Sequence, residues 1–265
     1  MKEKFSKNRI LYIAILLLLI FGALFLFFIL PMLREEPYQP EIIEVIAEPE
    51  PTPAPPPPTE PEPVPTEPEP EREPPPPLVA EARERTGNEH IVAYIEIPGT
   101  AINYPVVHYY DNLYYLYHDL YGQRTSAGSI FLDYLSSPDF SDRSSILYGH
   151  NMLNGTKFHN LRLFRDAGWR SEFLEEGRQI AITTAYERLY YDIFSVFITH
   201  IRFNYIQVHF ADDDDFLSLA TEIKARSDYP FGLDISGDDR ILILSTCWGP
   251  IGTNYRLVVV GKLSR

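Results

Sequence analysis

The chain contains a single cysteine, Cys247, and its place in the sequence suits a nucleophile. Cys247 follows residues 240–246, whose apolar centre predicts a β-strand, and precedes the turn-forming sequence Trp248-Gly249-Pro250. A thiol at a strand end beside a turn can face a cleft while its backbone is held rigidly. One cysteine can form neither an intramolecular disulfide nor a zinc cluster of cysteines. The alternative interpretation is a buried and inert thiol.

A nucleophilic cysteine needs a proton partner and a positive environment, and two residues suit these roles. His150 follows the apolar run Ile146–Tyr148 and Gly149, so it also lies at a predicted strand end. Arg256 opens the last apolar strand, nine residues after Cys247, and a short loop between two adjacent strands would bring it near the thiol. A guanidinium can hold a thiolate, a substrate backbone or an oxyanion. A surface salt bridge is the alternative for Arg256.

The other histidines considered lack this setting, and we expect them at the surface or in packing roles. They are His108, His118, His159, His200 and His209.

The elements that must position these residues are short runs of β-branched and aromatic residues separated by turns, which predict a mainly β fold, a closed barrel with helical insertions. The predicted strands are Ile91–Ile97, Ile102–Val107, Gly128–Asp133, Ser144–Tyr148, Gln179–Thr184, Leu189–Phe197, Ile201–Phe210, Ile241–Ser245 and Tyr255–Lys262. Helical spacing predicts helices at Leu78–Arg85 and Asp212–Arg226. We interpret the acidic run Asp212–Asp215 as the first turn of a helix rather than a calcium loop.

The N-terminal third of the chain differs in composition from the rest. Ile10–Leu30 is a charge-free run of 21 residues, and as a helix it would span about 31 Å, so residues 1–34 are predicted to be a cytoplasmic tail and an uncleaved transmembrane anchor. A cleaved signal peptide is the alternative. Residues 35–85 are rich in proline and glutamate and predict a disordered, extended spacer. Residues 86–265 form the predicted folded domain. The formal net charge of −14 argues against nucleic acid as the main partner.

Four motifs follow one another along the chain. They are Pro98–Val107, Gly128–Asp133, residues 148–152 (Tyr-Gly-His-Asn-Met), and Leu244-Ser245-Thr246-Cys247 followed by Arg256. In this order they resemble the sortase family, the membrane-anchored cysteine transpeptidases of Gram-positive bacteria, and most closely class B. The last motif resembles the family's cysteine strand, the third its histidine motif, and the first two resemble further class B segments. Trp248 stands where class B members often carry a polar or acidic residue.

The resemblance implies a sortase-type barrel and three catalytic roles. Cys247 would be the nucleophile, His150 would protonate the departing amine and deprotonate the incoming one, and Arg256 would hold the substrate and stabilise the oxyanion. The resemblance implies no metal and no organic cofactor. It also implies substrate-binding roles for Asn103, Val107, Tyr148, Tyr205, Ile206, Ser245 and Thr246.

The activity that the resemblance implies is transpeptidation at the cell membrane. The enzyme would cleave a C-terminal sorting signal of a secreted protein and pass the acyl group to an amine of the peptidoglycan precursor or of a pilin lysine. The catalytic domain would then lie outside the cell. Two alternatives remain open: a hydrolytic cysteine endopeptidase, and a non-catalytic module associated with the wall.

Overall fold

A computed structural model describes residues 77–250 and 252–264 of the chain. In this part, eight strands form a closed barrel in the order β1-β2-β3-β4-β7-β8-β6-β5, which confirms the predicted barrel with helical insertions. The strands are β1 (Ile91–Glu96), β2 (Asn103–His108), β3 (Ile130–Leu132), β4 (Ser144–Tyr148), β5 (Ile180–Thr184), β6 (Arg188–His200), β7 (Ile241–Cys247) and β8 (Tyr255–Leu263). The helices are α1 (Leu78–Thr86), a 3₁₀ helix (Phe158–Arg165), α2 (Ala167–Glu175) and α3 (Asp213–Ala225).

Three neighbouring strands decide where the polar residues of interest meet. β4 and β7 are parallel, with Tyr148 opposite Ser245 in their last pair, so both strands end at the same edge of the barrel. β7 and β8 are antiparallel, with Cys247 opposite Arg256, so β8 begins at that edge. The strand pairing therefore brings residues that are distant in sequence close together at one end of the barrel.

The apolar run of β7 is buried on both faces, which explains why it is nearly continuous rather than alternating. Leu242 and Leu244 join the larger core cluster, which includes Phe158 of the 3₁₀ helix. Ile241 and Ile243 join a second cluster on the opposite face, where the apolar face of α3 covers the sheet. Successive side chains of a strand point to opposite faces, so β7 serves two cores at once and its end is held rigidly.

The predicted helix after residue 211 is confirmed, and the acidic run begins it. The Asp212 side chain caps α3 by accepting a hydrogen bond of 2.9 Å from the Asp215 backbone N–H. The carboxylates of the first turn also suit the positive end of the helix dipole.

The predicted strand Ile201–Phe210 is wrong. β6 ends at His200, the chain turns, and the following residues form an irregular segment. The barrel is closed, and each of its strands already pairs with two neighbours, as β6 does with β5 and β8. No free strand edge is therefore left for this segment to pair with. Its aromatic and β-branched content instead reflects burial at particular positions, because Tyr205 and Val208 are 4% exposed and pack in the cluster beneath α3. The 3₁₀ helix and α2 were not predicted.

α1 confirms the predicted helix to within one residue and extends the folded part towards the N-terminus. Val79 and Ala82 are buried in a cluster with Ile91 of β1 and Tyr115. The packed part of the chain therefore includes α1, although the boundary at residue 86 assigned these residues to the spacer. The predicted anchor and the first 42 residues of the predicted spacer lie outside the described residues. Within residues 77–250 and 252–264, no helix is long and apolar enough to cross a membrane.

Candidate active site

A groove with a volume of about 480 Å³ opens at the barrel end where β4 and β7 finish and β8 begins. Cys247, His150 and Arg256 all contribute to its wall, although they are far apart in the sequence. The other lining residues are Asn112, Leu116, Tyr117, Phe131, Tyr148, Gly149, Ile201, Phe203, Asn204, Tyr205, Ile206, Ser245 and Thr246.

Cys247 and Arg256 are cross-strand neighbours. Cys247 is the last residue of β7, is only partly buried, and lies directly opposite Arg256. The Arg256 Nη1 donates to the backbone carbonyls of Thr253 at 3.0 Å and Tyr255 at 2.9 Å. In the part of the chain that the structure describes, no carboxylate lies within ion-pair distance of Arg256. No described carboxylate therefore neutralises its charge, which can act on a ligand or an anionic intermediate.

The imidazole of His150 is brought to the groove by the β4–β7 pair. The Gly149 N–H donates to the Ser245 carbonyl at 3.3 Å, and His150 follows one residue later. The His150 Nε2 lies 2.9 Å from the Leu116 carbonyl oxygen. A carbonyl only accepts hydrogen bonds, so Nε2 carries a proton and Nδ1 is the nitrogen that can take up or release one.

Gly149 is required by close packing at this point. A Cβ added there would overlap the Ile130 side chain and lie 2.9 Å from the Phe158 ring. The absence of a side chain lets β4 pass against these two residues and deliver His150 to the groove.

Two tyrosines supply neutral hydroxyls to the polar side of the groove. The Tyr205 hydroxyl lies 2.8 Å from the Ser245 Oγ, and burial raises the pKa of Tyr205 although the Ser245 bond and the Arg256 charge oppose this. The Tyr148 hydroxyl donates to the Asp133 carboxylate at 2.8 Å. Burial and the negative charge of Asp133 raise the pKa of Tyr148. Both phenols are thus neutral at physiological pH; the single proton of Tyr148 is engaged by Asp133, whereas in the Tyr205–Ser245 bond either hydroxyl can be the donor.

The structure brings five of the seven predicted substrate-binding residues to the groove and leaves two elsewhere. The five are Tyr148, Tyr205, Ile206, Ser245 and Thr246. Asn103 begins β2 and is exposed, but it does not line the groove. Val107 is fully buried, because β2 packs it against α1 and Phe131. Neither residue forms part of the groove wall, and their predicted role in substrate binding stays a prediction.

Several lining residues were missed by the sequence analysis. Asn112, Leu116 and Tyr117 come from the tyrosine-rich segment between β2 and β3, and Phe203 and Asn204 come from the irregular segment after β6. The segment between β2 and β3 contains many aromatic residues, which is the one signal in the sequence that could have marked it as a binding wall. No periodicity identifies which of these side chains faces the groove.

A groove lined by a partly buried thiol, an imidazole and a guanidinium that meets no described carboxylate defines a site suited to nucleophilic acyl transfer. Comparison with known proteins agrees with this class. Residues 95–264 match the family model described as a Sortase domain. The chain is 35% identical over 179 residues to Sortase B of Listeria monocytogenes, covering 66% of this chain and 70% of that protein. It is 32% identical over 177 residues to Sortase B of Staphylococcus aureus, covering 66% and 71%.

Solved structures show the same relationship. The Staphylococcus aureus sortase B–substrate complex superposes with a TM-score of 0.63 at 30% identity, covering 71% of this chain and 85% of that one. Clostridium perfringens sortase B superposes with a TM-score of 0.62 at 28% identity, covering 70% and 99%. The chain therefore belongs to the sortase family of cysteine transpeptidases, and it is most similar to class B.

Proposed function

We propose that this protein cleaves a C-terminal sorting signal of secreted proteins through a thioacyl intermediate on Cys247 and transfers the acyl group to a cell-wall amine. The observation that carries the proposal is the direct cross-strand pairing of Cys247 with Arg256 at the mouth of a groove that His150 also lines. The family membership supports the same reaction.

The first half-reaction forms the thioester. The Cys247 thiolate attacks the carbonyl carbon of the scissile peptide bond, and the carbonyl oxygen becomes an oxyanion. Arg256, whose charge no described carboxylate neutralises, is the donor suited to stabilise that oxyanion. When the C–N bond breaks, protonated His150 gives its proton to the departing amine, which leaves as a free N-terminus.

The second half-reaction reverses these proton transfers. A primary amine attacks the thioester carbon, neutral His150 removes the proton from the attacking nitrogen, and the C–S bond breaks to regenerate the thiolate. The product is a new amide. Family membership and the sequence resemblance support a peptidoglycan cross-bridge amine, or a pilin lysine, as the acceptor.

We also propose that the catalytic domain works outside the cell, with residues 10–30 as a single membrane anchor and the N-terminus in the cytoplasm. The charge-free run and the basic residues before it support this arrangement. An anchor would keep enzyme, secreted substrate and lipid-linked acceptor at one surface and raise their effective concentration. Protease treatment of intact cells should remove the folded domain and leave a short membrane-bound fragment. A domain protected in intact cells but digested after lysis would contradict the orientation.

The proposed reaction can be tested with the full-length protein in detergent. The protein is incubated with a library of peptides, with and without a glycine-based amine, and the products are analysed by mass spectrometry. We expect a thioester adduct on Cys247 without amine, a ligated peptide with amine, and neither product from Cys247→Ala. Peptide cleavage without ligation at any amine concentration would favour the hydrolytic endopeptidase, and an unchanged Cys247→Ala variant would exclude covalent catalysis by this thiol.

A further inference from the structure

The segment after β4 and the end of β7 are joined by side-chain hydrogen bonds beyond the point where their backbone pairing stops. The β4–β7 ladder ends at Tyr148 and Ser245. One residue further on, the Thr246 Oγ1 donates to the Gly149 carbonyl at 2.7 Å. Beyond that, the Asn151 Nδ2 donates to the Cys247 carbonyl at 3.0 Å. His150 lies between these two connections, so its position relative to the thiol depends on both.

We propose that Asn151 is a positioning residue, whose amide holds the segment carrying His150 in register with the strand end carrying Cys247. We further propose that His159 sets the orientation of this amide. The inference rests on the proposed function, because it assigns Asn151 a part in the same thiol–imidazole site. Asn151 contacts the backbone carbonyl of Cys247, so it acts through its neighbours rather than on the substrate.

The directions of the hydrogen bonds support a single orientation of the Asn151 amide. The Arg162 Nη1 lies 3.3 Å from the His159 Nε2, and a guanidinium only donates, so Nε2 accepts. The proton of neutral His159 is therefore on Nδ1, which lies 2.8 Å from the Asn151 Oδ1 and donates to it. Burial and the Arg162 charge lower the pKa of His159, which agrees with a neutral ring. With its oxygen engaged, Asn151 presents its NH₂ group to the Cys247 carbonyl.

The base of this connection is rigid. The Phe158 N–H donates to the His150 carbonyl at 3.0 Å and closes the chain between them into a loop. Within that loop, Asn151 and Lys157 form an isolated β-bridge. Phe158 and Leu161 of the 3₁₀ helix are fully buried in the main core, so the helix that carries His159 cannot shift easily.

Loss of the Asn151 amide should therefore affect the chemical step more than substrate binding. Misplacement of a catalytic group by about 1 Å can lower a rate by about 100-fold. We expect Asn151→Ala and Asn151→Asp to lower kcat for ligation by about 10- to 100-fold while KM changes by less than about twofold. The aspartate variant retains the shape and can still accept from His159, but it cannot donate to the Cys247 carbonyl. His159→Ala should give a smaller loss of kcat than either.

The matched control is Asn154→Ala in the same loop. The exposed Asn154 side chain accepts from the Thr156 N–H and hydroxyl, and among the described residues it forms no hydrogen bond with β7. We expect this variant to keep the kcat of the parent protein. The thermal unfolding midpoint of each variant identifies any general loss of fold. An Asn151→Asp variant with the kcat of the parent protein, or one indistinguishable from Asn154→Ala, would overturn the positioning role.

A second measurement does not depend on the identity of the peptide substrate. The rate at which iodoacetamide alkylates Cys247 is measured against pH for the parent protein, His150→Ala and Asn151→Ala. We expect the Asn151→Ala profile to move from the parent profile towards that of His150→Ala, and that result supports the positioning role even if no ligation is found. An Asn151→Ala profile that coincides with the parent profile overturns the role even if ligation is found. Identical parent and His150→Ala profiles would overturn both the thiol–imidazole pairing and the role of Asn151.

Discussion

The two ends of the β7–β8 pair differ in the partners of their charged side chains. At the end remote from the groove, Asp239 is 4% exposed as a residue and lies 3.2 Å from the Lys262 Nζ, which also donates to the Asp234 carbonyl at 2.9 Å. At the groove end, the guanidinium of Arg256 donates to two backbone carbonyls of its own turn and meets no carboxylate in the part of the chain that the structure describes.

The contrast shows how one pair of strands separates stability from reactivity. A buried carboxylate with an ammonium partner lowers the energy of the folded state only while both are present, because either one alone is left uncompensated. A cation without a carboxylate partner contributes little to folding but can respond to charge that develops on a substrate. The remote end should therefore control unfolding, and the groove end should control turnover.

The largest effect is expected from Arg256→Ala. Removal of a preorganised donor to an oxyanion lowers kcat by about 10²- to 10³-fold, and we expect a loss of this size in steady-state ligation. Urea unfolding should change by less than about 1 kcal/mol, because the bonds that are lost are to carbonyls in a surface turn. Arg256→Lys should not restore the rate, since an ammonium lacks the planar set of donors. A large loss of stability with an unchanged kcat would reverse the assignment of the two ends.

At the remote end, Lys262→Met should have the opposite phenotype. It removes the ammonium beside the buried Asp239 carboxylate, which keeps its hydrogen bonds from Ser236, and we expect a loss in the free energy of unfolding of about 2 to 3 kcal/mol. The kcat of the folded protein should stay close to that of the parent, because the change lies at the far end of the strand from Cys247. Urea unfolding and steady-state ligation at low temperature measure the two quantities.

Lys224→Met is the matched control for this prediction. Lys224 pairs with Asp234 at 2.9 Å, but the Asp234 side chain is fully exposed, so solvent screens the pair and its loss should change the free energy of unfolding much less than Lys262→Met does. If the two lysine variants unfold at the same urea concentration, the burial of Asp239 does not distinguish the remote end.

The sequence was most informative where a single interaction dictates the structure. Strand β4 was predicted with its observed bounds, because it is an apolar run with clear limits. The nine-residue spacing from Cys247 to Arg256 predicted neighbouring strands, and the structure pairs these two residues directly. The pairing of β4 with β7 joins segments almost 100 residues apart. The place of His150 at a predicted strand end made it a candidate partner of Cys247, but its periodicity could not establish the pairing, and the resemblance to a family supported it.

The sequence was least informative where composition has more than one physical cause. Residues 201–210 have the β-branched and aromatic content of a strand. In the structure, Tyr205 and Val208 of this segment are instead buried in the cluster beneath α3. Val107 was assigned to the groove through resemblance, yet α1 covers it, and the helix was placed outside the folded domain. His159 was expected at the surface or in a packing role. Its ring reaches Asn151 because the 3₁₀ helix carries it there, and the sequence analysis did not predict that helix.

The smallest expected effect is on the pH dependence of the free energy of unfolding in the acid range, which involves Asp239 at the remote end. Burial alone would raise the pKa of Asp239, but hydrogen bonds from Ser236 and the charge of Lys262 outweigh it and lower the pKa below the ordinary value of 3.8. The unfolded chain therefore binds a proton at a higher pH than the folded protein does. The stabilisation is complete above the unfolded pKa and is lost as the pH falls through the folded pKa.

This reasoning predicts that the free energy of unfolding, measured with urea between about pH 2 and 6, falls on acidification less steeply in Asp239→Asn than in the parent protein. The two slopes of the free energy of unfolding against pH should become equal above about pH 5, where Asp239 is ionised in both the folded and the unfolded state. Arg256→Ala should keep the acid dependence of the parent, because no carboxylate in the described part of the chain lies within ion-pair distance of that guanidinium. An acid dependence altered by Arg256→Ala and unaffected by Asp239→Asn would show that a carboxylate coupled to folding lies at the groove end instead.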